Sequence, residues 1–533
     1  MKLKPQNYLL LLALAAPAGL RAELKLPAIF TDHMVLQQKQ SDPIWGWDNP
    51  GTKVTVNFAG KDYSTEAGAD GKWTVKLDPQ TANATPQVIK VTGSSEKEVQ
   101  DVLVGEVWMS SGQSNMSFGL NGDWNGDVEA LASSLPELRL VRVPNVGTQE
   151  LQNDFKGSWQ VSSPGTAGSF SAVGLMFGRY LQNILHVPVG VIDNSWGGSA
   201  AEAWVRRETI DKDPRFATLM ESTRKHEETE TPESFQKKLA EWKEQEQAAI
   251  AEHKPVPRKP SSWLDGNGRP GNIFAGAVYP TLGYGLKGVI WYQGESNAGR
   301  AYEYSQLFPF MIEQWRKEWN QGDFPFYWVQ LANFQARKPE PGDSAWAELR
   351  ESQTKTLSLP HTGQAVIIDL GEGKDIHPKN KHDVAARLVR WALANDYGFK
   401  IPFHSPEFKK LDIEGNKAIV TIDTFGGGLR TFDVKEANGF AVAGEDRQWH
   451  WAQGALPLNS DKIELTCDAV PAPKYVRYAW GDNPTCNVLS NNGLPLTPFR
   501  TDDFDMITKP KAAAATPAPK AAATAAPAGP KKA

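Results

Sequence analysis

Cysteine is nearly absent from this 533-residue chain: Cys467 and Cys486 are the only two. Two thiols exclude a disulfide framework, an iron–sulfur cluster held by four thiolates and a four-cysteine zinc site. An excess of one charge sign is lacking as well. The 57 Lys and Arg against 62 Asp and Glu leave a net charge of −5, too weak a field to hold a polyphosphate, so nucleic acid is not an expected partner. Long apolar runs are also missing. Leu9 to Ala16 falls far short of the ~20 residues that span a bilayer, so no integral membrane span is expected. There is no Gly-x-x-x-x-Gly-Lys-Ser/Thr loop and no dinucleotide fingerprint, and His226-Glu227-Glu228-Thr229-Glu230 lacks the second histidine of a zinc helix. Neither a metal nor a nucleotide cofactor is expected. What the chain does have is apolar bulk, 40% hydrophobic residues with 19 Trp. That is enough for sizeable cores, with core packing the first reading of the Trp residues and sugar-ring platforms the sharper one.

The first residues read as an address. Lys2 and Lys4 precede the apolar run, and the small residues Ala18, Gly19 and Ala22 follow it. Residues 1–22 are therefore expected to be a signal peptide, and the protein to be exported, periplasmic or extracellular. An oxidising compartment would allow a Cys467–Cys486 bridge, although spacing alone does not pair them. Residues 509–533 are almost only Ala, Pro, Lys and Thr. They cannot bury enough surface to offset the entropy of ordering, and a flexible basic tail is expected.

Between these ends the pattern changes twice. Residues 23–104 carry short alternating runs such as Pro43–Trp47, Lys53–Ala59, Lys72–Leu77 and Val88–Val91, with turn signals at Asn49-Pro50-Gly51 and Ala69-Asp70-Gly71. They predict a small N-terminal β-sandwich. Residues 105–402 alternate near-continuous apolar runs (Val187–Asp193, Gly288–Tyr292, Phe326–Leu331, Ala365–Leu370) with helical stretches such as Tyr304–Trp319 and His382–Asn395. Strands apolar on both faces belong to a parallel sheet covered by helices, so an α/β layer fold is predicted. Residues 211–260 read as a helical insertion, with Thr231-Pro232 as N-cap and first helical position. Alternation returns over 403–508, exemplified by Ala418–Ile422, and predicts a C-terminal β-rich region.

Polar segments follow the predicted parallel strands, along the edge where open α/β sheets bind ligands. Gly112-Gln113-Ser114-Asn115-Met116 puts a serine on a tight turn, from which it could meet a base and a carbonyl. Asn194-Ser195-Trp196-Gly197-Gly198-Ser199 offers backbone N–H groups without Cβ interference; an oxyanion donor, a plain turn and a phosphate cradle all fit it. Trp291-Tyr292-Gln293-Gly294-Glu295-Ser296-Asn297 crowds amide, carboxylate and hydroxyl groups after a buried strand, and Ser296 rivals Ser114 as nucleophile. In Asp375-Ile376-His377-Pro378 a carboxylate could hold an imidazole in the tautomer that accepts a serine proton; a capping Asp beside an incidental surface His is the alternative.

In this order these segments resemble the sialate O-acetylesterase family of the SGNH (GDSL-like) hydrolases. The likeness runs from Leu26-Pro27-Ala28-Ile29-Phe30-Thr31-Asp32-His33-Met34 to Pro498-Phe499-Arg500-Thr501-Asp502. The resemblance implies a flavodoxin-like three-layer catalytic core and removal of O-acetyl groups from sugars, sialic acid among them. By the same resemblance Ser114 is the nucleophile, His377 the base and Asp375 its orienting acid. Gly197 or Gly198 would be the glycine oxyanion donor, Gln293 a side-chain donor and Glu295 a supporting acid. Asp369 is a fallback partner for the histidine. A sialic acid carboxylate would call for a cation, with Arg206 and Arg300 the candidates. Other acetylated sugars such as xylan fragments remain open as substrates. So do a non-catalytic glycan-binding protein and a glycoside hydrolase using Glu295.

Overall fold

The computed structural model describes residues 23–510. The expected signal peptide, and the tail beyond Pro510, lie outside the described residues. The molecule is a mixed α/β protein with several sheets. Its main sheet contains β1 (Glu96–Gly112), β2 (Leu135–Arg142), β3 (Gln160–Ser162), β4 (Val189–Ser195), β5 (Gly288–Tyr292), β6 (Phe326–Val329) and β7 (Thr362–Ala365), in the order β7-β6-β5-β1-β4-β2-β3. All neighbours are parallel except β2 and β3. β4, β5 and β6 are buried along their whole length, in keeping with the near-continuous apolar runs, although β4 ends on Asp193, Asn194 and Ser195.

Alternate residues of these strands feed two different cores. Val289, Trp291, Phe326 and Trp328 pack with Leu307, Phe308, Met311 and Trp315 of the helix Ala301–Trp319. Ile290, Tyr292, Tyr327 and Val329 join Leu175, Met176 and Leu181 of the helix Ala172–Leu185 and Leu388 of the helix Lys381–Asn395.

The 17-residue β1 runs without a break across the expected boundary at residue 104. Its first half pairs antiparallel with Asn83–Thr92, and its second half joins the parallel sheet. The N-terminal strands Pro43–Trp47, Lys53–Phe58 and Lys72–Lys76 stand where alternation predicts them. In the 211–260 segment, helices Ala217–Thr229 and Pro232–Ala251 form, and the Thr231 hydroxyl accepts from Ser234 N with Pro232 in the first turn. Residues beyond 403 form small antiparallel sheets, among them one of Glu407–Glu414, Lys417–Asp423, Lys462–Thr466 and Gln453–Ala455.

One expectation needs correction. The apolar run Ala365–Leu370 is not a strand: pairing ends at Ala365, and Val366 and Ile368 instead join the core of the C-terminal region with Val420, Ile463 and Val476. An apolar run buried on all sides looks the same in sequence whether a sheet or a neighbouring region covers it. Cys467 and Cys486 are both free thiols, not bridged. No helix among the described residues is long and apolar enough to cross a membrane.

Candidate active site

Register brings three strand ends level. Gly112 stands opposite Ser195 on one side and Tyr292 on the other, so the segments that follow them emerge side by side. Gly112 has φ +132°, and a Cβ there would lie 2.2 Å from the Tyr292 carbonyl oxygen. Only glycine fits, and the chain turns sharply enough to start a four-residue helix at Ser114. Gln113 N donates to Tyr292 O at 2.9 Å, and Trp196 N to Gly112 O at 2.9 Å, which locks the turn between its neighbours.

Ser114 Oγ lies 2.8 Å from Nε2 of His377, a residue 263 positions later in the chain. The histidine sits on the loop before the helix Lys381–Asn395. There Asp375 Oδ1 accepts the His377 backbone N–H at 2.9 Å and stands 3.6 Å from ring Nδ1. Asp375 thus grips the loop backbone more closely than the ring. Burial first, and then the Lys381 ammonium, hold the His377 imidazole below its ordinary pKa, against an opposing pull from Asp375.

Beneath this pair lies a buried polar chain. Lys381 Nζ donates to Asn115 Oδ1 at 2.5 Å, and Asn115 Nδ2 donates to Glu295 Oε1 at 2.6 Å and to Ile376 O at 3.0 Å. One asparagine therefore joins the Ser114 turn, the segment after β5 and the histidine loop. Lys381 also lies over the rings of Phe118 (4.9 Å) and Tyr292 (5.3 Å), and Phe118 in turn stacks on His377. Burial pushes Lys381 down to about 7 and the Glu295 carboxyl up. Sequence reasoning did not single out Lys381, although a signal was there: a lysine in the first turn of a helix opposes the helix dipole and needs a reason. Asn115 stood in the quoted motif without a role.

Of the expected oxyanion donors, Gly197 is adjacent to the serine: a Cβ on it would lie 3.4 Å from Ser114 Cβ. Gly198, at φ +73°, faces Asn267 instead. Asn267, just beyond the helical insertion, donates to Gly197 O at 2.5 Å, another contact that sequence did not reveal. Gln293 points inward. Its amide nitrogen donates to Ser199 O (3.1 Å) and Asn297 Oδ1 (2.7 Å), and its oxygen accepts from Tyr304 at 3.1 Å. Both amide hydrogens are engaged, so Gln293 braces the segment and has none free for an oxyanion.

Arg300 is held by Glu202 and Glu303, and Arg206 by both oxygens of Glu318. Neither is an open cation. Asp369 is paired bidentately with Arg387 at 2.6 and 2.7 Å, and Ser296 Oγ donates to Gly198 O at 3.1 Å. Neither is drawn into the Ser114–His377 pair.

This chain is 36% identical to a carbohydrate acetylesterase from Xanthomonas citri of known crystal structure, with a TM-score of 0.77 over 90% of this chain and 100% of that one. It is a carboxylic ester hydrolase. The profile of the family described as "Carbohydrate esterase, sialic acid-specific acetylesterase" matches residues 273–389. The sialate O-acetylesterase of Mus musculus is 29% identical over 517 residues, 88% of this chain and 92% of that protein. The Homo sapiens sialate O-acetylesterase is 28% identical over 526 residues, 89% and 92% of the two chains. The chain belongs to the sialate O-acetylesterase family.

Proposed function

We propose that this protein is an exported serine esterase that removes O-acetyl groups from sialic acids or related acetylated glycans by way of an acetyl-enzyme. The observation that carries the reading is the 2.8 Å approach of Ser114 Oγ and His377 Nε2 at the C-terminal edge of the parallel sheet. His377 Nε2 takes the Ser114 proton as Oγ attacks the acetyl carbonyl carbon. The tetrahedral oxyanion is met by the backbone N–H groups of Ser114 and Gly197. As the carbon–oxygen bond to the sugar breaks, His377 returns that proton to the departing sugar oxygen. A water then gives a proton to His377 and attacks the acetyl carbon, and as the bond to Ser114 Oγ breaks His377 returns that proton to Oγ, which frees Ser114 and releases acetate. Asp375 holds the loop and faces Nδ1, which favours the tautomer with Nε2 unprotonated. Glu295 lies beneath the turn on Asn115, a position suited to support and not to proton delivery to a glycosidic oxygen.

The finer architecture belongs to the same reading: a three-layer SGNH core over 105–402 with its helical insertion, an N-terminal sandwich over 23–104 and a C-terminal β-rich region over 403–508. The Lys2–Ala22 pattern supports export. Both candidate arginines are engaged in ion pairs, so the acetylated sugar is set by groups other than these two. A panel of acetylated sialic acids, hexoses and xylan fragments, read by acetate release, ranks them. Ser114→Ala should abolish acetate release from a simple aryl acetate while circular dichroism stays that of the parent. Wild-type release by the folded variant would end the proposal.

A further inference from the structure

Away from the Ser114–His377 pair, a cavity of about 370 Å³ lies between the segment 337–343 and the C-terminal β-rich region. Its size is within the range of small-ligand sites. The segment follows β6, so this wall rises from the same sheet edge as Ser114. The opposite wall includes Trp451 and the loop 480–485.

The walls are fixed to each other and to the reaction loop. The buried Arg350 guanidinium donates to the carbonyls of Leu331 and Ala332 on one side and of Gly481 and Asp482 on the other, at 2.6–3.0 Å. Asn483, in the cavity wall, accepts from Asn333 at 2.8 Å, and Asn333 in turn accepts the Gly371 N–H at 2.7 Å. A Cβ on Gly373 would meet the Asn483 amide nitrogen at 2.8 Å. Gly373 is four residues before His377, so the wall lies within a chain reach of at most ~14 Å from the histidine.

The lining has the chemistry of sugar recognition. Trp451 is 40% exposed, an uncommon state for so large an aromatic, and its indole N–H donates to Pro339 O at 2.7 Å. That bond holds the indole edge of a side chain that keeps a large exposed area. Asn438 lines the same space, as does Asn483, whose amide oxygen accepts from Asn333 and whose nitrogen donates to Gln335 O at 2.7 Å. The charges nearly cancel: Arg337 and Lys338 stand against Glu340, Asp343 and Asp482, with Lys338 paired to Asp482 at 3.2 Å and Asp343 at 2.9 Å from Arg477, a guanidinium that also holds Asp502. Aromatic face, amides and balanced charge suit a neutral ring with hydroxyls better than an acidic one.

We propose that this cavity is a subsite for a neutral saccharide unit of a longer acetylated glycan, with Trp451 as its stacking platform. The inference rests on the esterase reading and extends it: the acetylated residue sits at Ser114, and a residue linked to it occupies the cavity beside the His377 loop. Polymeric or oligomeric glycans are then better substrates than the free acetylated sugar.

The test uses the full mature chain carrying Ser114→Ala, so that nothing is turned over, on an array of neutral oligosaccharides (xylo-, cello-, manno- and N-acetylated series) beside sialylated ones, with calorimetry on the ligands retained. At least one neutral series should bind, and its tetrasaccharide should bind at least about tenfold more tightly than its single sugar. Adding Trp451→Ala should weaken binding by about tenfold or more. Adding Trp451→Phe, which keeps a ring and loses the bond to Pro339, should restore most of it. Retention of no neutral glycan, retention of sialylated glycans only, or equal binding by Trp451→Ala would overturn the subsite. Aryl acetate hydrolysis, wild type against Ser114→Ala, judges the esterase reading separately.

Discussion

Lys381 is the residue whose chemistry is least expected from its position. Its ammonium is buried under the histidine and opposes protonation of His377, while burial draws its own pKa down to about 7. The sign follows directly. In the acid range where an imidazole titrates, Lys381 is charged, so it lowers the pH at which His377 takes up a proton and keeps the base neutral further into acid. With His377 as the proposed base, activity should fall as pH drops through the pKa of His377. Lys381→Met removes the positive charge and should move the acid limb of kcat/KM to higher pH. The shift is partial, because burial, the larger cause, remains. An acid limb that stays in place would show that Lys381 does not act on the base. Sequence displayed the chemically bare pair, Ser114 and His377, because each stands in a short polar motif after an apolar run. It did not display Lys381 or Asn267, whose partners Asn115 and Gly197 lie 266 and 70 positions away. Gln293 shows the opposite error: an amide in the right motif, turned inward by Ser199, Asn297 and Tyr304.

At the scale of elements, the level ends of β1, β4 and β5 do the positioning, and two glycines there separate stability from activity. Gly112→Ala sets a Cβ against the Tyr292 carbonyl at a φ that L-residues rarely adopt. It should cost more than about 2 kcal/mol in urea denaturation. Gly197 has no such backbone demand, and its Cβ would meet Ser114 at ordinary contact distance. Gly197→Ala should therefore unfold like the parent yet lose on the order of tenfold to hundredfold in kcat, by crowding the space of the reacting carbonyl. Equal stabilities for the two variants would mean that the strand-end turn is not strained as described. β4, β5 and β6 were legible because they are buried throughout and read as near-continuous apolar runs, whereas β2, β3 and the helix Ala172–Leu185 were not read from the sequence. Ala365–Leu370 misled for the same reason, because Val366 and Ile368 are buried by another region and not by a sheet.

At the scale of the molecule, the N-terminal strands, the parallel sheet and the C-terminal sheets are tied by β1 at one end and by Arg350 and Asn483 at the other. The cysteines contribute no covalent tie. Both thiols of the denatured, unreduced protein should react with a thiol reagent, and adding reductant should leave Tm unchanged; a Tm drop would reveal a bridge. Tryptophan use follows the core reading for the most part, with Trp73, Trp108, Trp159, Trp204, Trp291, Trp315 and Trp328 fully buried, while Trp124 and Trp451 stand exposed. The acetyl-enzyme is the claim on which the functional account stands. Its most direct test is mass spectrometry of peptides from enzyme quenched in acid during turnover of an aryl acetate. The account predicts an acetyl group on the peptide bearing Ser114, on the hydroxyl of that serine, and its absence from Ser114→Ala. An acetyl group on Ser296 instead, or steady acetate release with Ser114 never modified, would contradict it.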